Sequence, residues 1–235
     1  MLLRKPLRSC EKIWSVQCIG SVLTKEAMER MAFLGFFRRK PPIRAIAELT
    51  DFIDQQSAYL IQKGIYDYST ARVGPYSKSL LAQQEFMLTM EASRWRAYPL
   101  GLAMVGEMVE GVLQPHAAGE RRAVLDPLSA LVLDIFDRYT VPATIRSDAW
   151  LESRRELALK LDQLSLHPPK RVIDIPEPYA ERYFHMMPFD KELLTNDVPT
   201  TRSFLRLTLT NIRDELVKRM DAAAMAAALR GTARK

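Results

Sequence analysis

Two arginines flank a tryptophan in the run Ser93-Arg94-Trp95-Arg96-Ala97-Tyr98-Pro99, and this is the part of the chain best suited to gripping a ligand. A guanidinium presents a planar fork of N–H donors that matches a carboxylate or phosphate, and nearby aromatic rings can shape the pocket around it. Arg94, Trp95, Arg96 and Tyr98 are therefore the expected ligand- or anion-binding residues, with Arg72 and the Lys170-Arg171 pair able to contribute if the fold brings them near. The same arginines also suit a structural role, pairing with Glu91, Glu107 or Glu110 across helices.

Catalytic chemistry has a weaker footing. A serine esterase of the common fold places its nucleophile in G-x-S-x-G on a strained strand-to-helix turn, and neither that motif nor a parallel-sheet pattern occurs here. The most elbow-like serine is Ser77 in GPYSKS, where a glycine-proline turn leads directly into a helix whose first N–H groups are free to hold an anion. The other reading of Ser77 is as the cap of that helix. His116, His167 and His185 are scattered, and the Glu-x-x-His pairs that a di-iron bundle needs do not occur. Glu91, Glu107 and Glu110 are expected to face solvent, and neither a metal nor a cofactor is indicated.

A different signal precedes the helical part. Residues 31–44 read MAFLGFFRRKPPIR. Phe33, Leu34, Phe36 and Phe37 could enter a lipid headgroup boundary while Arg38, Arg39, Lys40 and Arg44 remain in the anionic layer. Each basic residue near such a surface contributes about 1 kcal/mol, screened by salt, which gives reversible attachment. The alternative is that these apolar residues dock on the protein's own core. Residues 1–30 have the outline of a basic region and a short apolar region but lack a small-residue cleavage site. They read as a weak signal peptide, a disordered lead-in, or sequence upstream of a true start at Met31, the reading we favour.

Charge is segregated along the chain. Of a net +6, residues 1–45 carry +7 and the last six residues +3, which leaves residues 46–229 at −4. A nucleic-acid-binding domain concentrates positive charge on a folded face, so nucleic acid is not the expected partner of this mildly acidic body. The two cysteines, Cys10 and Cys18, lie ahead of the helical part, which fits a reducing, cytoplasmic setting.

The elements that must position these residues follow from apolar periodicity. Ile46, Leu49, Ile53 and Leu60 predict a helix to about Tyr68, stopped before Gly74-Pro75. A second helix is expected over 77–97, broken or kinked at Pro99, and a third over 100–113, where Gly101, Gly106 and Gly111 permit close helix approach. Val124, Leu128, Leu131, Val132, Ile135 and Phe136 mark a helix in 120–139, and Ser147 or Asp148 caps the next. A proline-rich stretch, 167–178, crosses the surface and a short helix over 179–187 follows it. The last major helix starts near Thr200 or Thr201, and AAAMAAAL extends or follows it. The chain is thus expected to be all-α, a single globular bundle of about seven helices. Its parts are a lead-in (1–30), a basic/aromatic segment (31–45), the domain (46–229) and a basic tail (230–235).

SRWRAYPLGLAMVGEMVEGVL and LHPPKRVIDIPEPYAERYF resemble an uncharacterised family of helical bacterial proteins whose members start near this chain's Met31. The similarity covers about residues 31–230. Members sometimes carry the label esterase, which implies a hydrolase activity but transfers no catalytic residue. The residues point first to a cytoplasmic helical binding or adaptor protein with an unknown protein partner, held reversibly on the inner face of an anionic membrane. The alternative is a small hydrolase with an unrecognised serine site such as Ser77.

Overall fold

The helix over residues 84–113 holds the bundle together through a central stretch enclosed on every side. From Ala97 to Glu110 every residue is buried, the mark of a helix enclosed by others rather than one with a single core-facing stripe. The computed structural model describes residues 41–189 and 197–232. Among them are eight α-helices: α1 (Ile46–Val73), α2 (Ser77–Leu81), α3 (Gln84–Leu113), α4 (Arg121–Asp137), α5 (Ser147–Gln163), α6 (Ala180–Phe184), α7 (Val198–Arg219) and α8 (Ala222–Thr232). Helices α1, α4, α5, α7 and α8 all pack against α3. The fold is all-α, and its one extended pairing among the described residues is a bridge between Ile43 and Met220, where the Ile43 N–H donates to the Arg219 carbonyl. No helix among these residues is long and apolar enough to cross a membrane.

Pro99 does not divide the central helix. It lies inside α3 and is itself buried. A proline in a helix interior forfeits one hydrogen bond and crowds the preceding turn, at about 3 kcal/mol. Enclosure of α3 by five neighbouring helices offsets that cost, because tertiary packing supplies most helix stability. Other boundaries also move. α1 continues past Tyr68 to Val73 and stops at Gly74, whose φ of 58° is left-handed. α6 is shorter than expected, and α8 follows α7 as a separate helix.

Gly101 sets the contact between α1 and α3. A Cβ there would lie 2.9 Å from the Ser57 carbonyl oxygen and 2.8 Å from Ile61 Cγ1, so only glycine allows this approach. Tyr183 donates its hydroxyl to the Ile61 carbonyl at 2.8 Å, tying α6 to the same stretch of α1.

Glu107 and Glu110 are not solvent-facing; they are 4% and 2% exposed on α3. The proline-rich crossing and its approach explain why. Lys170 Nζ lies 2.8 Å from Glu107 Oε1. Arg121 Nε donates to Glu110 Oε1 at 2.7 Å, and the same guanidinium donates to the carbonyls of Leu164 (2.8 Å) and His167. A buried carboxylate persists only when paired and hydrogen-bonded. These glutamates thus fasten residues 164–170 onto the central helix. The crossing itself is mostly exposed but sinks Ile175 and Pro176 into the core.

Candidate functional site

Neighbouring positions on a helix are about 100° apart, so the four residues of the arginine–aromatic run cannot all face one pocket. α3 sends them to three places. Tyr98 and Trp95 enter the core. Tyr98, fully buried, donates its hydroxyl to Asp54 Oδ1 at 2.6 Å. Tyr139 donates to the same carboxylate, 2.8 Å from Oδ1 and 3.1 Å from Oδ2, and Arg138 Nη1 stands 3.9 Å from Oδ2. Trp95 meets Tyr98, Tyr139 and Trp150 edge-on, with ring centroids 6.0, 5.3 and 5.8 Å away. Burial, and after it the Asp54 charge, pushes the Tyr98 hydroxyl well above the usual tyrosine range. This network joins α1, α3 and the end of α4, and it is structural.

Arg94 is 6% exposed and forms no ion pair or hydrogen bond among the described residues; its Nε is buried without a partner. Burial lowers the pKa of its guanidinium, against the upward pull of Glu91. Arg94 does not pair with Glu107 or Glu110, whose counter-charges are Lys170 and Arg121.

Arg96 alone faces out, and it does so into a groove. Two adjoining cavities run between α3, α5 and α6, with volumes of about 130 and 370 Å³. Arg96, Ser153, Glu156 and Arg182 line both. The narrow arm adds Pro99, Leu100, Ala103 and Leu157 as an apolar wall, with buried Tyr179 and exposed Lys160 also lining it. The wide arm adds Thr144, Arg146 and Glu152.

Most charges in this groove are already matched. Arg182 pairs with Glu156. Arg146 grips Asp148 with two hydrogen bonds of 3.1 and 2.7 Å, and Glu152 meets Arg155 at 3.2 Å. Arg96 and Lys160, both exposed, have no partner among the described residues. The Thr144 hydroxyl is buried in the wall with no hydrogen-bond partner. Burial, then the charge of Glu107, raises the Tyr179 hydroxyl far above the ordinary tyrosine value, so it is a neutral donor at any physiological pH. The groove can therefore grip an anion beside an apolar surface.

The remaining candidates lie elsewhere. Ser77 is the first residue of α2 and half-buried, but Tyr76 occupies the cap position and no side chain caps that helix. The Ser77 hydroxyl has no histidine or carboxylate partner among the described residues. Lys170 and Arg171 line a separate cavity of about 300 Å³ on the far part of α3, where Arg171 pairs with Asp174. Among the described residues no three His, Cys, Asp or Glu side chains converge as a metal site would require. Phe33, Phe36, Phe37, Arg38, Arg39 and Lys40 lie outside the described residues, as do Cys10 and Cys18.

Sequence reasoning found Arg96 but missed Arg146, Lys160 and Arg182, which reach the groove from separate elements far apart in the chain. It also missed Asp54. Its position among Thr50, Ile53, Ser57 and Ile61 on the buried stripe of α1 was the available signal. No protein-family model, curated protein or solved structure matches the chain.

Proposed function

We propose that this chain is a non-catalytic helical binding or adaptor protein that holds an anionic group in the groove at Arg96. In this reading it works in the cytoplasm and attaches reversibly to an anionic membrane surface through Phe33, Phe36, Phe37, Arg38, Arg39 and Lys40, presenting the helical body to a protein partner. The observation that carries the proposal is the guanidinium of Arg96, unmatched among the described residues, in a groove whose other arginines are ion-paired. An exposed, unpaired arginine over a part-apolar cavity is where an incoming anion gains most and displaces least. The charge layout supports the membrane element, since +7 in residues 1–45 precedes a body at −4 and an anionic surface attracts such a basic segment.

Co-sedimentation of the full chain with anionic and neutral vesicles at low and high salt tests the membrane element. Binding to anionic vesicles alone, weakened by salt and lost when Phe36, Phe37, Arg38 and Arg39 are replaced by Ala, is the expected result. Binding to neutral vesicles as well, or indifference to those substitutions, would remove it.

A further inference from the structure

We infer that the groove takes a small amphipathic carboxylate: one ring-sized apolar group in the narrow arm and a single anionic head on Arg96. This rests on the reading of the groove as an anion site and names the class of its ligand.

Size decides the apolar part. The narrow arm encloses about 130 Å³ against Pro99, Leu100, Ala103 and Leu157. An engineered apolar cavity of about 150 Å³ accepts benzene. The arm therefore suits one aromatic ring or a short branched chain and excludes a long acyl tail.

Charge decides the head. Arg96 lines both arms, so its fork can reach a group at their junction. Arg182 and Arg146 are engaged by Glu156 and Asp148. Glu152 and Glu156 also line the wide arm and are engaged in turn by Arg155 and Arg182, so among the described residues these pairs leave no second free cation there for another negative charge. A single fork that is unpaired among the described residues favours a singly charged carboxylate over a dianionic phosphate. Exposed Lys160 adds long-range attraction.

Calorimetric titration of the full chain with benzoate, acetate and inorganic phosphate tests this. Benzoate is expected to bind about tenfold or more tighter than acetate, because the ring adds buried apolar surface. Arg96→Gln should weaken benzoate at least about tenfold, the loss typical of a hydrogen bond to a charged group. Ser153→Phe, which fills the junction from a half-exposed position, should have the same effect without relying on the arginine. Equal binding of phosphate, acetate and benzoate, lost in Arg96→Gln, would overturn the amphipathic ligand and leave a simple anion site. Benzoate binding that survives both substitutions would overturn the site. Absence of binding by all three anions would overturn both this inference and the anion groove, whatever the vesicle experiment shows.

Discussion

Asp54 sits 3% exposed between two tyrosine hydroxyls, and removing those donors one at a time gives a quantitative test of how the bundle is tied together. Tyr98→Phe deletes the 2.6 Å hydrogen bond from a fully buried donor. Tyr139→Phe deletes the shared 2.8 and 3.1 Å contacts from a half-buried one. Hydrogen bonds to a charged group contribute about 1.5–3 kcal/mol. Tyr98→Phe is expected near the upper end of that range. Tyr139→Phe should fall near the lower end, because water can take its place at a half-buried site. Both donors serve one carboxylate, so each single variant leaves the other to solvate the charge, and the double variant removes both. The double variant should therefore lose about 0.5–3 kcal/mol more than the two singles together. Urea unfolding followed by circular dichroism, with unchanged slope, reads these differences. Additive losses below about 0.5 kcal/mol each would show that Asp54 does not depend on these hydroxyls and would refute the reasoning.

Three further outcomes follow from the same geometry. Arg94→Met replaces a buried guanidinium, unpartnered among the described residues, by an apolar chain of similar length, and is expected to leave thermal stability unchanged or raise it by about 1–4 kcal/mol. A loss above about 1 kcal/mol would mean that Arg94 has a stabilising partner. Gly64→Ala puts a methyl group against the Tyr183 hydroxyl and 2.7 Å from Phe204 Cε1, so it should destabilise by about 1–3 kcal/mol in the same urea assay; a neutral result would show that α6 and α7 can move away from α1. Tyr98, Tyr179 and Tyr183 have hydroxyl pKa values raised chiefly by burial, whereas in the unfolded chain a tyrosine ionises near pH 10. The unfolded state then loses protons first, so stability present below about pH 10 should fall as pH rises beyond it. Phenolate absorbance should show these three rings silent until unfolding, and Tyr98→Phe should make the alkaline fall shallower.

The parts of the fold that periodicity revealed are helices with one buried stripe and one solvated face. α4 is the clearest: Val124, Leu128, Leu131, Val132, Ile135 and Phe136 are all buried, as their spacing predicts. α3 was harder to read, because its stretch from 97 to 110 is buried on every side and has no solvated face to mark its period, and Pro99 looked like a terminus where packing in fact holds the helix through it. The glutamates at 107 and 110 looked solvated because their counter-charges, Lys170 and Arg121, sit on other segments. The same non-locality governs the groove. Arg96 was legible from its neighbours in sequence, but the partners that make it a site come from α5, α6 and the loop before α5. Arg94 and Arg96 looked equivalent as letters; a two-residue step on a helix turns one inward and the other out.

The most direct test of the groove is a proton–nitrogen correlation spectrum of the arginine side chains and backbone amides of the full chain, recorded while benzoate is added. The expected result is a saturable shift of Arg96 Nε–H together with the Ser153 amide, while the Arg94 Nε–H signal stays fixed. Shifts centred on other residues, or a spectrum unchanged at high benzoate, would contradict the assignment of Arg96 as the residue that grips the ligand.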